Sequence, residues 1–117
     1  MLFRSFAVPG SSTVRTIDDL IRKTRAPGAR ITYASGGVGS PQHLATEMFK
    51  SFTRVDLTHV PYRGASQATL AVASGEVDVM SMALSLAQPF LTDGKVRLIG
   101  YCGPERHAQF QIGRAHV

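Results

Sequence analysis

The sequence reads as an α/β protein: a parallel sheet with helices on both faces. Three observations predict this. Short apolar runs alternate with stretches of helical period along most of the chain. Two of the apolar runs open into glycine-containing loops that lead to helix starts, at Ser35–Ser40 and at Tyr62–Ser66. The helical stretches close on glycines, at Gly28, Gly75 and Gly94.

In chain order, Phe3 to Val8 carries alternating apolar residues and is read as a strand, with a turn over Pro9–Ser12. Thr16-Ile17-Asp18-Asp19 has the shape of a capping box, with Asp in place of the usual Glu. A helix from Ile17 to near Arg25 follows, stopped by Ala26-Pro27-Gly28. Ile31–Ala34 is the second strand. Ser40 then serves as N-cap and Pro41 as first residue of a helix running to Phe52. Leu44, Ala45, Met48, Phe49 and Phe52 share one face of it, the kind of face a surface helix turns to the core. Leu57–Val60 is a short strand, and Pro61–Gly64 turns it into a third helix, Ala65–Ser74. Val77–Met80, a helical stretch over Leu84–Thr92 and a last strand at Arg97–Tyr101 complete the pattern.

The 117 residues make one domain at most. Residues 1–111 are read as a single α/β lobe. Residues 112–117, Ile-Gly-Arg-Ala-His-Val, close no element and match the translation of a common sequencing adapter, so they are read as a non-native tail. The net charge is +5, but the basic residues are scattered and do not interleave with aromatics. No nucleic-acid groove is called for, whereas a positive field draws carboxylates. Cys102 is the only cysteine, so no intrachain disulfide forms; it is expected to pack at a strand end. No apolar run is long enough to span a bilayer, and Met1–Val8 lacks the apolar centre of a signal peptide.

The chemistry-bearing residues lie in the two loops. In Ser35-Gly36-Gly37-Val38-Gly39-Ser40 the glycines let a backbone approach a ligand, and the helix start beyond supplies N–H donors. The same segment also reads as a tight turn with a good cap, and the two readings weigh equally. A dinucleotide fingerprint fails because Gln42 stands where its third glycine belongs. A phosphate-loop lysine and a Gly-x-Ser-x-Gly elbow are absent. No catalytic group, metal ligand set or cofactor is expected. The second loop, Pro61–Ser66, repeats the strand-to-helix arrangement, with Tyr62 and Arg63 as candidate contacts beside a packed-Tyr, solvated-Arg alternative. His43 is a secondary candidate against a plain half-exposed helix residue. Asp78 is another, against a paired strand carboxylate. His59 is read as a strand residue with a hydrogen-bonded ring.

Four stretches, taken together, resemble one family. They are Ile31–Ala45, Val55–Gly64, Gly75–Met80 and Gly94–Gly100, and they stand in the family's order. The family is the Bug, or TctC-like, solute-binding proteins of tripartite tricarboxylate transporters, and the resemblance runs from about Phe6 to Phe110. It implies one lobe, mainly the second, of a two-lobed type II periplasmic-binding-protein fold. It also implies a small carboxylate ligand, membrane transporter subunits as partners and a periplasmic location, with the first lobe missing. Carried over by position, the ligand contacts are Ser35, Gly36, Gly39 and Ser40, then Tyr62, Gly64, Ala65 and Ser66. One departure is Ser81-Met82-Ala83, where the family often has a Phe-Asp-Asn-like segment.

The expected function is therefore non-catalytic capture of a small carboxylate by N–H groups at two helix starts. The alternative is an α/β enzyme domain that binds a phosphorylated substrate or cofactor at the glycine loop.

Overall fold

A computed structural model describes residues 4–102. Phe3, the side chain of Cys102 and the 112–117 tail lie outside the described residues and side chains. Nine elements alternate: β1 (Arg4–Pro9), α1 (Ile17–Thr24), β2 (Thr32–Ser35), α2 (Pro41–Thr53), β3 (Thr58–Pro61), α3 (Ala65–Ala73), β4 (Val79–Ala83), α4 (Leu84–Thr92) and β5 (Val96–Cys102). They form one five-stranded sheet in the order β3-β2-β4-β1-β5.

Strands β2, β3 and β4 run parallel, as expected. The sheet as a whole is mixed, because β1 runs antiparallel to both β4 and β5. The expected parallel sheet with helices on both faces therefore carries one antiparallel strand, β1. Strand direction depends on a partner far along the chain, and no local pattern in Phe6-Ala7-Val8 encodes it. The burial of these three residues, each 0% exposed, follows from their place between β4 and β5 with helices on both faces.

The helices divide into two layers, each with its own apolar cluster. Ile17 and Leu20 of α1 and Phe49 of α2 pack with Phe6, Val8, Tyr33 and Val79 on one face. Ala68, Ala71 and Val72 of α3 and Ala87 of α4 pack with Ala7, Ala34, Met80 and Met82 on the other. Close approach of α1 depends on Gly100, since a Cβ there would lie 2.3 Å from Ile17 Cγ1. Asp78 ties the amino ends of β2 and β4 together: Oδ2 accepts from Thr32 N–H at 2.9 Å and from Thr32 Oγ1 at 3.1 Å.

Helix α2 is rotated from the expected orientation. Its buried residues are Gln42, Thr46 and Phe49, while Leu44, Met48 and Phe52 are 60%, 53% and 44% exposed. Phe49 is common to both faces and packs against Phe6, ring centroids 4.8 Å apart. Thr46 satisfies its hydroxyl within the helix by donating to Gln42 O at 2.8 Å, so its burial is inexpensive. Gln42 faces inward because its amide oxygen accepts from Gly36 N–H at 3.3 Å and holds the glycine loop.

The connections from β2 and β4 leave in opposite directions. β2 leads through α2 to β3, and β4 leads through α4 to β5 on the far side of the sheet. The order therefore reverses between β2 and β4, and in open α/β sheets such a reversal opens a crevice beyond the carboxyl ends.

Phe49→Ala is expected to destabilise the fold by about 3–5 kcal/mol. Leu44→Gln and Met48→Gln together should change stability by less than about 1 kcal/mol. Urea denaturation of both variants measures this, and a large loss in the double variant would put the apolar stripe back in the core.

Candidate functional site

The loops after β2 and β3 lie side by side at the carboxyl edge and are hydrogen-bonded to one another. The parallel ladder pairs Ser35 with Pro61 and continues past the strands: Tyr62 N–H donates to Ser35 O at 2.9 Å, and Gly64 N–H to Gly36 O at 3.2 Å. Gly36 is the contact point. A Cβ on it would lie 3.0 Å from Ala65 N, 3.1 Å from Gly64 C and 3.2 Å from Gln42 Oε1. Gly37, Gly39 and Gly64 hold φ of 131°, 86° and 115°, which L side chains rarely adopt.

The structure thus brings Gly36, Gly39, Ser40, Gly64, Ala65 and Ser66 to this edge, with Ser35 buried beneath it and the Tyr62 side chain turned away from it. It does not leave their N–H groups equally free. Gly36 N–H goes to Gln42, Gly37 N–H to Ser35 Oγ, Gly39 N–H to His43 Nδ1 and Ser40 N–H to Gly37 O. Ser40 is the N-cap of α2, and its hydroxyl accepts from His43 N–H at 3.3 Å. The glycine loop is therefore mostly self-satisfied.

The start of α3 is different. Its N-cap is Gly64, which has no side chain to cap with. The N–H groups of Ala65, Ser66 and Gln67 have no hydrogen-bond partner among the described residues. Three such donors at the positive end of a helix dipole form the more open donor surface of this edge. Ala83, the N-cap of α4, also lacks a side-chain cap bond and lies at the end of β4 beside the topological reversal. The sequence places this helix start at Leu84, as observed, and marks Ser81-Met82-Ala83 before it as a departure from the family pattern without naming a site residue there.

Among the secondary candidates, His43 joins the glycine loop through Gly39 and Arg63 is exposed on the second loop. Tyr62 turns back from the edge and donates from its hydroxyl to Glu76 Oε1 at 3.3 Å. Burial and the Glu76 carboxylate raise its pKa. Asp78 is at the amino end of the sheet, bonded to Thr32, and is not brought to the loops. A shallow depression lined by Thr24, Ala29, Arg30, Ile31, Asp56 and Thr58 lies at that same end. Among the described residues, no three His, Cys, Asp or Glu groups gather to hold a metal ion, and no helix is long and apolar enough to cross a membrane.

His59 stands under the glycine loop. Its Nε2 is 2.5 Å from Ser35 Oγ, which also contacts Gly37 O and accepts from Gly37 N–H, both at 3.1 Å. One assignment satisfies all three contacts: His59 Nε2–H and Gly37 N–H donate to Ser35 Oγ, and the Ser35 hydroxyl donates to Gly37 O. The neighbouring Tyr33 hydroxyl donates to Glu47 Oε2 at 2.5 Å, and Lys50 donates to the same oxygen at 3.1 Å. Burial, then the Glu47 hydrogen bond and charge, push the Tyr33 phenol well above its ordinary range. The same hydrogen bond, opposed by partial burial and helped by Lys50, lowers the Glu47 carboxyl. Burial, then repulsion from His43, lowers His59 and keeps it neutral.

A base with a depressed folded-state pKa binds fewer protons folded than unfolded. The stability from a neutral His59 is therefore present above about pH 6.5, the unfolded value, and is lost as pH falls from there toward the folded value. The urea midpoint should drop across this window. His59→Gln should flatten the slope, and an unchanged slope in that variant would contradict the assignment.

The sequence matches the profile of the family described as "Tripartite tricarboxylate transporter family receptor" over residues 4–114. A UPF0065 protein from the tcbD-tcbE intergenic region of Pseudomonas sp. strain P51 is 33% identical over 102 residues, covering 87% of this chain and 30% of that protein. The protein BugT of Bordetella pertussis is 27% identical over 97 residues, covering 81% of this chain and 29% of BugT. Among solved structures, R. palustris Rpa4515 with adipate superposes with a TM-score of 0.80 at 31% identity, covering 86% of this chain and 33% of that one. MatC from Rhodopseudomonas palustris with bound malate has the same fold, with a TM-score of 0.80 at 22% identity, covering 87% of this chain and 35% of that one. The chain spans about a third of the length of these relatives. On its profile match and its relatives, this chain belongs to the tripartite tricarboxylate transporter receptor family, whose members are solute-binding proteins and not enzymes.

Proposed function

We propose that this chain supplies one lobe's share of a binding site for a small carboxylate, destined for uptake by a tripartite tricarboxylate-type transporter from the periplasm. The observation that carries the reading is the start of α3. There the N–H groups of Ala65, Ser66 and Gln67 lack partners among the described residues and stand beside the glycine loop at the carboxyl edge. Unpaired amides at a helix start favour a carboxylate by charge and by hydrogen bonding. The 31% identical relative solved with adipate supports the ligand class.

Geometry also favours a second lobe. The loops form an open edge of the sheet, and a small anion held there by one surface keeps half its shell in water. Closure of that lobe would exclude water and strengthen each N–H contact. The first lobe and the membrane subunits are the partners this reading calls for.

Ser66→Asp tests the anion site without removing the helix. An acidic residue in the first turn stabilises a helix by about 0.3–1 kcal/mol, but it repels an arriving carboxylate. Adipate is expected to raise the melting temperature of the unaltered protein, by mass action. A diamine of the same chain length is expected to leave it unchanged. The Ser66→Asp variant should melt no lower than the original and lose the adipate shift. An equal shift in the variant, or no shift with any dicarboxylate, would overturn the reading.

A further inference from the structure

Two histidines stand face to face under the glycine loop, and the carboxylate reading uses neither. The rings of His43 and His59 have centroids 4.2 Å apart with planes 4° from parallel. His59 stacks in turn on Tyr33, centroids 4.8 Å apart. His43 comes from the third residue of α2, and its Nδ1 accepts from Gly39 N–H at 2.9 Å.

An acceptor at Nδ1 carries no proton, so the neutral His43 ring holds its hydrogen on Nε2. A second proton has one place to go, which is Nδ1. Two donors then face each other across the former hydrogen bond, and the contact with Gly39 is lost. Gly39 is exposed and its amide has no other partner among the described residues, so the amide is left free.

The groups around His43 are Glu47 and Lys50 from α2, Tyr33 from β2 and His59 from β3. The Glu47 carboxylate feels a charge on His43, but it is no hydrogen-bond partner of that ring, and its Oε2 is taken by the Tyr33 hydroxyl and by Lys50. His59 is held on Ser35 and offers no negative charge. An imidazolium on His43 would also stand at the positive end of the α2 dipole. The missing complement is an anion, and the released amide lies where one would arrive.

We propose that His43 is a proton-operated latch on the Gly39 amide. Neutral, it holds the amide. Protonated, it releases the amide, and Gly39 N–H and His43 Nδ1–H together seat one anionic oxygen. Capture of the anion takes up one proton from solvent, onto His43 Nδ1. By linkage, the factor by which protonation raises anion affinity equals the factor by which the anion raises proton affinity. The latch stands on the Gly39–His43 geometry alone; the carboxylate identity of the anion rests on the function proposed above.

The test uses the full chain labelled with nitrogen-15. The Gly39 amide and the His43 imidazole are followed from about pH 5 to 8, the span in which histidines change charge. The Gly39 amide shift should titrate with the His43 ring, and its exchange protection, corrected for intrinsic rate, should fall about tenfold on protonation. His43→Asn places Oδ1 where Nδ1 stood, an acceptor at every pH, so Gly39 should stay protected and its titration vanish. His43→Ala should leave Gly39 unprotected throughout. A Gly39 amide that does not follow the imidazole, or that titrates unchanged in His43→Asn, overturns the latch. Added adipate should move the His43 midpoint upward. A midpoint that does not move, with co-titration intact, overturns the carboxylate seat and leaves the latch standing, so the two failures are told apart.

Discussion

The site depends on two backbone hydrogen bonds that prolong the β2–β3 ladder beyond its strands. Tyr62 N–H to Ser35 O and Gly64 N–H to Gly36 O turn two separate loops into one surface. The bonds form because Gly36 lacks a Cβ, which would otherwise press on Gly64 and Ala65. With the loops joined, the start of α3 is set beside the glycine loop, and its unpaired amides face the edge. Had Gly36 been Ala, the neighbouring backbone would have to move by tenths of an ångström, and α3 with it.

Polar residues beneath the loop divide the remaining work. Gln42 faces inward to hold Gly36, Ser35 holds Gly37 and His59, and His43 holds Gly39. The loop is therefore shaped by side chains from α2, β2 and β3 as well as by its own glycines. That leaves its amides satisfied, a low-energy state for an edge facing water. An arriving anion must compete with these partners or use the donors of α3. The neutral His59 and the engaged Glu47 keep the underside of the loop free of net charge, so the helix ends and His43 set the local field.

Much of the fold was legible because its signals are local. Thr16 and Ser40 cap helices as their types suggest, and all nine elements lie within a few residues of their expected places. The direction of β1 was not legible, since it is fixed by pairing with β4 and β5 far along the chain. The orientation of α2 misled for a different reason. Its apolar stripe, Leu44, Met48 and Phe52, is the stronger hydrophobic pattern, yet Gln42 and Thr46 turn inward because both find hydrogen bonds there. In the site, strand-to-helix turns with glycines located both loops, and the family resemblance supplied the expected contact positions. The sequence held no sign that the glycine-loop amides are spent internally, nor that His59 reaches Ser35. The first depends on how α2 presents Gln42 and His43 to the loop, and the second on the register of β2 with β3.

The central claim is that the carboxyl-edge loops of β2 and β3 form one anion-binding surface. An amide-by-amide NMR map of the chain during adipate titration tests it most directly, because it detects weak binding by a single lobe. The account predicts shifts concentrated at residues 35–43 and 62–67, largest at Ala65, Ser66 and Gln67. Shifts confined to the depression near Thr24, Arg30 and Asp56, or spread over the scattered surface lysines and arginines, would contradict it.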